Sequence, residues 1–323
     1  MNDSRLCGRK VLILTDGKIG HENQSRAFAR ALGCGFDILP VRFKGKFVKA
    51  ASYLLDHFGI GCLGFFANPP DVAALTAEGY AAVVGTGSGT FYAAKLLARR
   101  LGVRCGVVLY PRGYRISTFN CVLAPAFDRP AKATNVVEIP ANLVAADAAF
   151  YEKGVADFLA HSALSRDVVA SCHAVAVIVG GPNACSTMTV DWMKGQLDTI
   201  FASQPAGSSF WVTTSRRTPP DVEALVDSYP WNYKLIYSRD SFNPIPAFVS
   251  LAKKLYVTAE STGMLSEACT SGSAEVVALD NLRPGPSKFR RFVESLRAGG
   301  YVDGHRKIDI SVQFASARQL MGL

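Results

Sequence analysis

Lys10-Val11-Leu12-Ile13-Leu14-Thr15 runs directly into Asp16-Gly17-Lys18-Ile19-Gly20-His21-Glu22. An apolar strand, a turn carrying two glycines and a helix-like stretch over Glu22–Leu32 make one β–turn–α unit. The theme recurs along the first half. Further strands are expected at Phe36–Val41, Ala81–Val84, Arg104–Leu109 and Cys121–Leu123, with Phe91–Leu101 a clear helix between two of them. Short apolar strands separated by helices imply parallel strands joined by right-handed crossovers.

The second half repeats the pattern, with strands expected at Ala174–Val179, Phe210–Thr213, Lys234–Tyr237, Lys254–Thr258 and Ala274–Ala278. Residues 145 to 171 read as helical and polar, and the interdomain connection is expected there. The fold class is therefore α/β, with two Rossmann-like, doubly wound parallel-sheet domains over residues 1–155 and 156–323, facing a central cleft. Ligands of such sheets bind beyond the carboxyl ends of the strands.

Composition narrows the partners. A chain of 323 residues suits two domains, and 49% hydrophobic residues exclude disorder. The net charge of +9 favours anionic partners, yet the basic residues form no single run and no nucleic-acid signature is present. The eight cysteines are scattered without zinc spacing, as expected of reduced thiols in a cytoplasmic protein. The stretch before Val11 is polar, and no run approaches the ~18 apolar residues of a spanning helix. The expectation is a soluble protein, or one peripheral on the inner face of a membrane.

Five loops at strand ends could carry chemistry. In the first, Asp16 and His21 are candidate general bases, because an imidazole titrates near neutral pH; a plain turn capped by Glu22 or Asn23 is the alternative. The second, Gly85-Thr86-Gly87-Ser88-Gly89-Thr90, either cradles a substrate with backbone N–H groups or lets a helix approach the sheet closely. The third holds Gly180 and Gly181, where a ligand could approach the backbone. The fourth, Thr213 to Thr218, offers Thr214, Ser215 and Arg216 to a diphosphate. The fifth, Thr258 to Ala268, is the most informative. Glu260, Ser261, Thr262, Gly263 and Met264 form a small-residue turn opening a helix whose N–H groups could receive a phosphate, and Glu267 one turn later could accept ribose hydroxyls. No dinucleotide fingerprint and no Gly-x-Ser-x-Gly elbow is present, which argues against a dehydrogenase and a serine hydrolase.

Together these loops resemble the GT-B glycosyltransferases, including the enzyme that adds N-acetylglucosamine to the peptidoglycan lipid intermediate. A closer resemblance is to the mitochondrial fission ELM family, whose bacterial members are regarded as glycosyltransferases. It is carried by Leu14 to Lys18 with Gly20 to Gln24, by Gly180-Gly181-Pro182, Thr213 to Thr218, Asn243-Pro244, Thr258 to Ala268, and Lys288-Phe289 with Phe292. Two strings depart from the family pattern. Asn183-Ala184 stand where the family has Ser-Lys, and Pro125-Ala126-Phe127-Asp128 where it has proline-glutamate-histidine-aspartate. The second departure shifts the acceptor chemistry to Asp128 and His21.

The resemblance implies transfer of a hexose from a nucleotide-sugar donor, held by the second domain, to a cell-envelope saccharide or lipid-linked acceptor. Neither a metal nor a further cofactor is required. A nucleotide-sugar epimerase and a non-catalytic, membrane-associated scaffold are the alternatives. Val41–Phe66 bears on the acceptor, since it mixes Arg42, Lys44, Lys46 and Lys49 with Phe43, Phe47, Tyr53, Leu54, Leu55, Phe58, Leu63, Phe65 and Phe66. It reads either as a face for anionic lipid or as a buried helix with a lysine rim.

Overall fold

The computed structural model describes residues 8–144, 147–162 and 164–323. The chain divides into two compact units, Met1–Ala145 with Asp309–Leu323, and Ala146–Ile308.

The first unit begins with β1 (Lys10–Thr15), α1 (Ile19–Ala31), β2 (Gly35–Pro40), α2 (Lys46–His57) and α3 (Val72–Ala77). It continues with β3 (Ala82–Thr86), α4 (Phe91–Leu101), β4 (Arg104–Val108), β5 (Cys121–Pro125) and β6 (Val136–Ile139). All six strands are parallel, in the order β2-β1-β3-β4-β5-β6. β1 and β3 lie inside the sheet with helices on both faces, so Val11 to Leu14 and Ala82 to Val84 are buried whichever way they point. α4 stops at Gly102, which caps it in the left-handed conformation at φ 69°.

The second unit runs α5 (Ala148–Ser162), α6 (Arg166–Ser171), β7 (Ala174–Ile178), α7 (Val190–Ser203), β8 (Ser209–Thr213) and α8 (Pro220–Asp227). There follow β9 (Tyr233–Leu235), α9 (Ile245–Leu251), β10 (Lys254–Thr258), α10 (Thr262–Thr270), β11 (Glu275–Leu279) and α11 (Lys288–Ala298). Its parallel sheet has the order β11-β10-β7-β8-β9. Thr189 caps α7 by accepting from Trp192 N at 3.2 Å, and Pro220 opens α8, where its missing N–H costs nothing. α12 (Ser311–Met321) then returns to the first unit and packs on β4, β5 and β6. Two doubly wound parallel sheets are the expected fold class.

The structure differs from the expected elements in four places. β6 was not expected, because a four-residue edge strand with Glu138 in its middle carries little apolar signal. β9 spans Tyr233–Leu235 rather than Lys234–Tyr237, since Tyr237 N turns away to donate to the Thr214 hydroxyl at 2.8 Å. α1 begins at Ile19, which puts His21 in its first turn rather than in the loop. The chain's last residues leave the 156–323 segment, because Ala317 and Met321 are buried among Phe28, Leu123 and Ile139 of the first unit. α5, by contrast, belongs wholly to the second unit, with Phe158 against Trp211 and Phe248.

Cys34, Cys62, Cys105, Cys121, Cys172, Cys185 and Cys269 are free thiols, and Cys7 lies outside the described residues. Among the described residues no helix is long and apolar enough to cross a membrane.

Candidate functional site

Each sheet has one place where the strand order reverses. In the first unit β1 leads outward to β2 while β3 lies on its other side; in the second β7 leads to β8 while β10 lies on its other side. Loops that leave adjacent strands in opposite directions open a crevice at the carboxyl edge, so chemistry is to be sought after β1 and β3, and after β7 and β10.

The first of these places holds Asp16 and His21. Gly17, at φ 80°, turns the chain sharply after β1, and Lys18 N donates to Asp16 Oδ1 at 3.3 Å. α1 then presents His21 so that its Nδ1 lies 3.1 Å from both carboxylate oxygens of Asp16. Lys18 Nζ stands 3.3 Å from Asp16 Oδ2. With Nδ1 donating to the Asp16 carboxylate, Nε2 is the basic nitrogen of the neutral ring.

The glycine loop after β3 is explained by this pair. A Cβ on Gly87 (φ 81°) would stand 2.4 Å from His21 Cε1, and one on Gly89 2.7 Å from Asp16 Cβ. Ser25 and Thr86 join α1 to β3 through hydroxyls 2.7 Å apart, and Lys49 of α2 donates to Ser88 Oγ at 2.8 Å. Lys49, counted by sequence among the basic residues of the Val41–Phe66 face, is thus turned toward the loop. Beside the pair is a recess of about 290 Å³ lined by Asp16, Phe43, Gly89 and the cationic side chains Arg42, Lys46 and Lys49. A Gly89→Ala variant should fold, but its Cβ should displace the Asp16 side chain from His21; a thermal melt beside an NMR titration of the His21 ring checks this.

Asp128 is placed differently. It ends a short 3-10 turn after β5, and its carbonyl accepts from Arg112 Nη2. β5 is three strands from β1, roughly 14 Å at ~4.8 Å per strand. The structure brings Asp16 and His21 together and leaves Asp128 apart from them.

In the second unit the loops after β7, β8 and β10 are tied to one another. Glu260 is only 2% exposed. Its Oε1 accepts Gly181 N at 2.8 Å and the Thr258 hydroxyl at 3.1 Å, while Oε2 accepts Asn281 Nδ2 at 2.7 Å. Gly180 N donates to Thr258 Oγ1 at 2.9 Å. The glycine pair is needed for this closeness, because a Cβ on Gly180 would meet Glu260 Oε1 at 2.0 Å and one on Gly181 would meet Arg217 O at 2.1 Å. The N–H groups of Gly180 and Gly181, and the Glu260 carboxylate, are therefore engaged inside the fold. Thr214 is engaged likewise, donating to Glu223 Oε1 at 2.7 Å, and Ser215 closes its own turn with Thr218.

Of the other candidates, Arg216 and Gly263 are exposed, whereas Ser261 is buried. Arg216 is exposed at the turn after β8 and makes no hydrogen bond or ion pair among the described residues. Ser261 is the N-cap of α10 without a side-chain capping bond, and the first N–H groups of a helix have no intrahelical acceptor. Gly263 is exposed, and a Cβ there would meet nothing within 4 Å, so packing does not require glycine at that position. Thr262 and Met264 flank it, half-buried. Glu267 lies one turn on, where Tyr151 Oη of α5 donates to its Oε1 at 3.3 Å. Burial pushes the Glu267 carboxyl above the usual range, and the Tyr151 hydrogen bond offsets part of that rise.

The model of the family described as "Mitochondrial fission ELM1" matches residues 19–317. The chain belongs to that family. None of the curated protein sequences compared matches this ELM1-family chain significantly. Among solved structures it is similar to a protein from Listeria monocytogenes assigned as a UDP-N-acetylglucosamine 2-epimerase, at 11% identity and TM-score 0.52, over 98% of this chain and 89% of the other. It is also similar to MurG of Acinetobacter baumannii, at 16% identity and TM-score 0.48, over 97% and 92% of the two chains. The first likeness places the ELM1 chain in the fold class of GT-B proteins.

Two residues of this ELM1 member have structural roles that sequence reasoning did not give. Asn183, where the family pattern has serine, turns its Oδ1 back to accept Cys185 N at 2.8 Å and is a turn residue. Asn281 had no motif around it to mark it, yet it joins Glu260 to the loop after β7 by accepting Thr187 N at 2.9 Å.

Proposed function

We propose that this chain is a glycosyltransferase of GT-B type that moves a hexose from a nucleoside-diphosphate sugar to a cell-envelope saccharide or lipid-linked acceptor. The observation that carries this reading is the Asp16–His21 pair at the reversal point of the first sheet, framed by glycines that leave room for no other side chain. His21 Nε2 takes the acceptor hydroxyl proton while Asp16 holds the ring and offsets its positive charge. In the second unit the diphosphate lies at the start of α10, near Ser261 to Met264 and on the N–H groups of Gly263 and Met264, with Arg216 beside it and Glu267 on the ribose. Helix dipole and guanidinium take up the charge of the leaving diphosphate, so this reading calls on no metal ion. The acceptor side of the first unit sits on an anionic membrane surface through α2.

A thermal-shift screen with nucleoside mono- and diphosphates and their sugar conjugates tests the donor site. A ligand at a hundred times its Kd stabilises by about 2.7 kcal/mol, which a melt resolves. The shift should vanish in both Gly263→Asp and Glu267→Ala; a shift retained in both would remove the donor assignment. The likeness to a protein assigned as an epimerase supports a second reading, in which the donor sugar is converted alone. Incubating donor without acceptor and resolving the sugar epimers separates the two.

A further inference from the structure

Helix α2 is built inside out. On its inner side Ser52 and Asp56 are 0% and 5% exposed, held by polar contacts rather than by an apolar core. Ser52 Oγ lies 3.0 Å from Tyr114 Oη, and Asp56 accepts Lys95 Nζ at 2.8 Å on each oxygen and Arg115 N at 2.7 Å. On the outer side Phe47, Leu54 and Phe58 are 92%, 61% and 70% exposed, and steps of seven and four residues put them on one line. Ile60, 52% exposed, follows just past the helix end. A helix that buries a carboxylate and exposes phenylalanines along a crest of about 16 Å is shaped for something outside its own unit. Exposed Arg42, Lys44 and Lys46 at the start of the crest suit an anionic surface.

Beyond the end of the crest lies a second cavity in the same unit, of about 350 Å³, whose lining includes Ile60, Leu96, Arg99, Arg115 and Asn120. Asn120 and Cys105 place it at the amino ends of β5 and β4, the opposite edge of the sheet from His21. The turn over Gly59 to Gly61 is packed against its wall: a Cβ on Gly61 would stand 2.5 Å from Leu96 Cδ1, and one on Gly59 3.3 Å from Arg115 Nη2. Lys95 is internally complete, with Asp56 on two of its protons and Arg115 O at 2.7 Å on the third. Arg115 is not. Its Nε is buried without a partner, and its side chain makes no hydrogen bond or ion pair among the described residues. Arg99 donates to Gly59 O from Nη1 at 3.2 Å and is otherwise exposed.

From this juxtaposition we infer that the cavity is a headgroup site for an anionic phospholipid: Arg115 and Arg99 take its phosphate while Leu54, Phe58 and Ile60 enter the acyl layer. Guanidinium forks suit phosphate oxygens, and the fold itself gives the Arg115 guanidinium no acceptor. The inference rests on the membrane-surface part of the reading above and is independent of the donor site.

The test uses the full chain and vesicles of phosphatidylcholine with and without phosphatidic acid. Native protein should co-sediment only with vesicles that contain phosphatidic acid. An Arg99→Gln, Arg115→Gln double variant, which keeps the apolar crest and the lysines, should bind them about tenfold or more weakly, as expected for lost charge-assisted hydrogen bonds. A Phe47→Ser, Leu54→Ser, Phe58→Ser variant should leave the vesicles, yet keep the thermal shift given by soluble dihexanoyl phosphatidic acid. Equal vesicle binding by the double variant and the native chain would overturn the inference. So would a thermal shift with inorganic phosphate equal to that with the short-chain lipid, which would mark a site for free phosphate. Nucleotide binding on the same samples verifies that the variants are folded and tests the donor reading separately.

Discussion

Replacing His21 with alanine is expected to lower kcat by about two to four orders of magnitude and to leave donor affinity unchanged. General-base catalysis contributes about 10²–10⁴-fold, and His21 sits in the first unit, whereas the donor is assigned to the second. Asp16→Asn should approach the same loss by another route. An amide in place of the carboxylate can donate to Nδ1, which moves the ring proton to Nε2 and takes away the base. Because the two residues act as one device, the double variant should be little worse than His21→Ala alone. Calorimetric titration of the donor beside steady-state rates makes the separation. Unaltered turnover in His21→Ala would move the chemistry elsewhere, and Asp128 would be the next residue to replace.

The second large effect is on stability. Glu260→Ala should destabilise the second unit by several kcal/mol, at roughly 1–3 kcal/mol for each of the donors left without an acceptor. Those donors are Gly181 N, the Thr258 hydroxyl and Asn281 Nδ2. Glu260→Gln should recover little of the loss. Both carboxylate oxygens accept, and an amide has one acceptor and one donor end, so one side of the site would set donor against donor. Gly180→Ala should fail comparably, because its Cβ would occupy the place of Glu260 Oε1. Urea unfolding followed by tryptophan fluorescence reads the change, since Trp192, Trp211 and Trp231 all belong to this unit. A loss below about 1 kcal/mol in Glu260→Ala would mean that water replaces the carboxylate cheaply, contrary to its burial.

What was legible in the sequence follows from how locally each feature is determined. The unbroken apolar run of β1 and the two glycines after it specify strand, turn and helix within fifteen residues, and the structure has all three. The partnership of Asp16 with Gly89, and of His21 with Gly87, was not legible, because it joins loops some seventy residues apart through contacts that glycines make by having no side chain. Gly85 to Thr90 could be read as a cradle or as a close contact; its neighbours in space are the Asp16–His21 side chains. Glu260 misled for the opposite reason. Its place in the small-residue turn before a helix makes it look like part of a phosphate site, and only the three donors converging on it mark it as a hub of the fold. The aromatic stretch Val41–Phe66 divided likewise. Phe66 is buried, whereas Phe47 and Phe58 are exposed, since hydrophobicity alone does not say which side of a helix meets the core.

The homecoming of α12 also orders events during synthesis. The second unit is one uninterrupted segment, so it can finish folding as soon as Ile308 has cleared the ribosome. The first unit, although made earlier, must wait with the Ala317 and Met321 side of its core open to solvent or to a chaperone. Released chains ending at Ile308 and at Leu323 should therefore differ in protease resistance within the older half rather than the newer one.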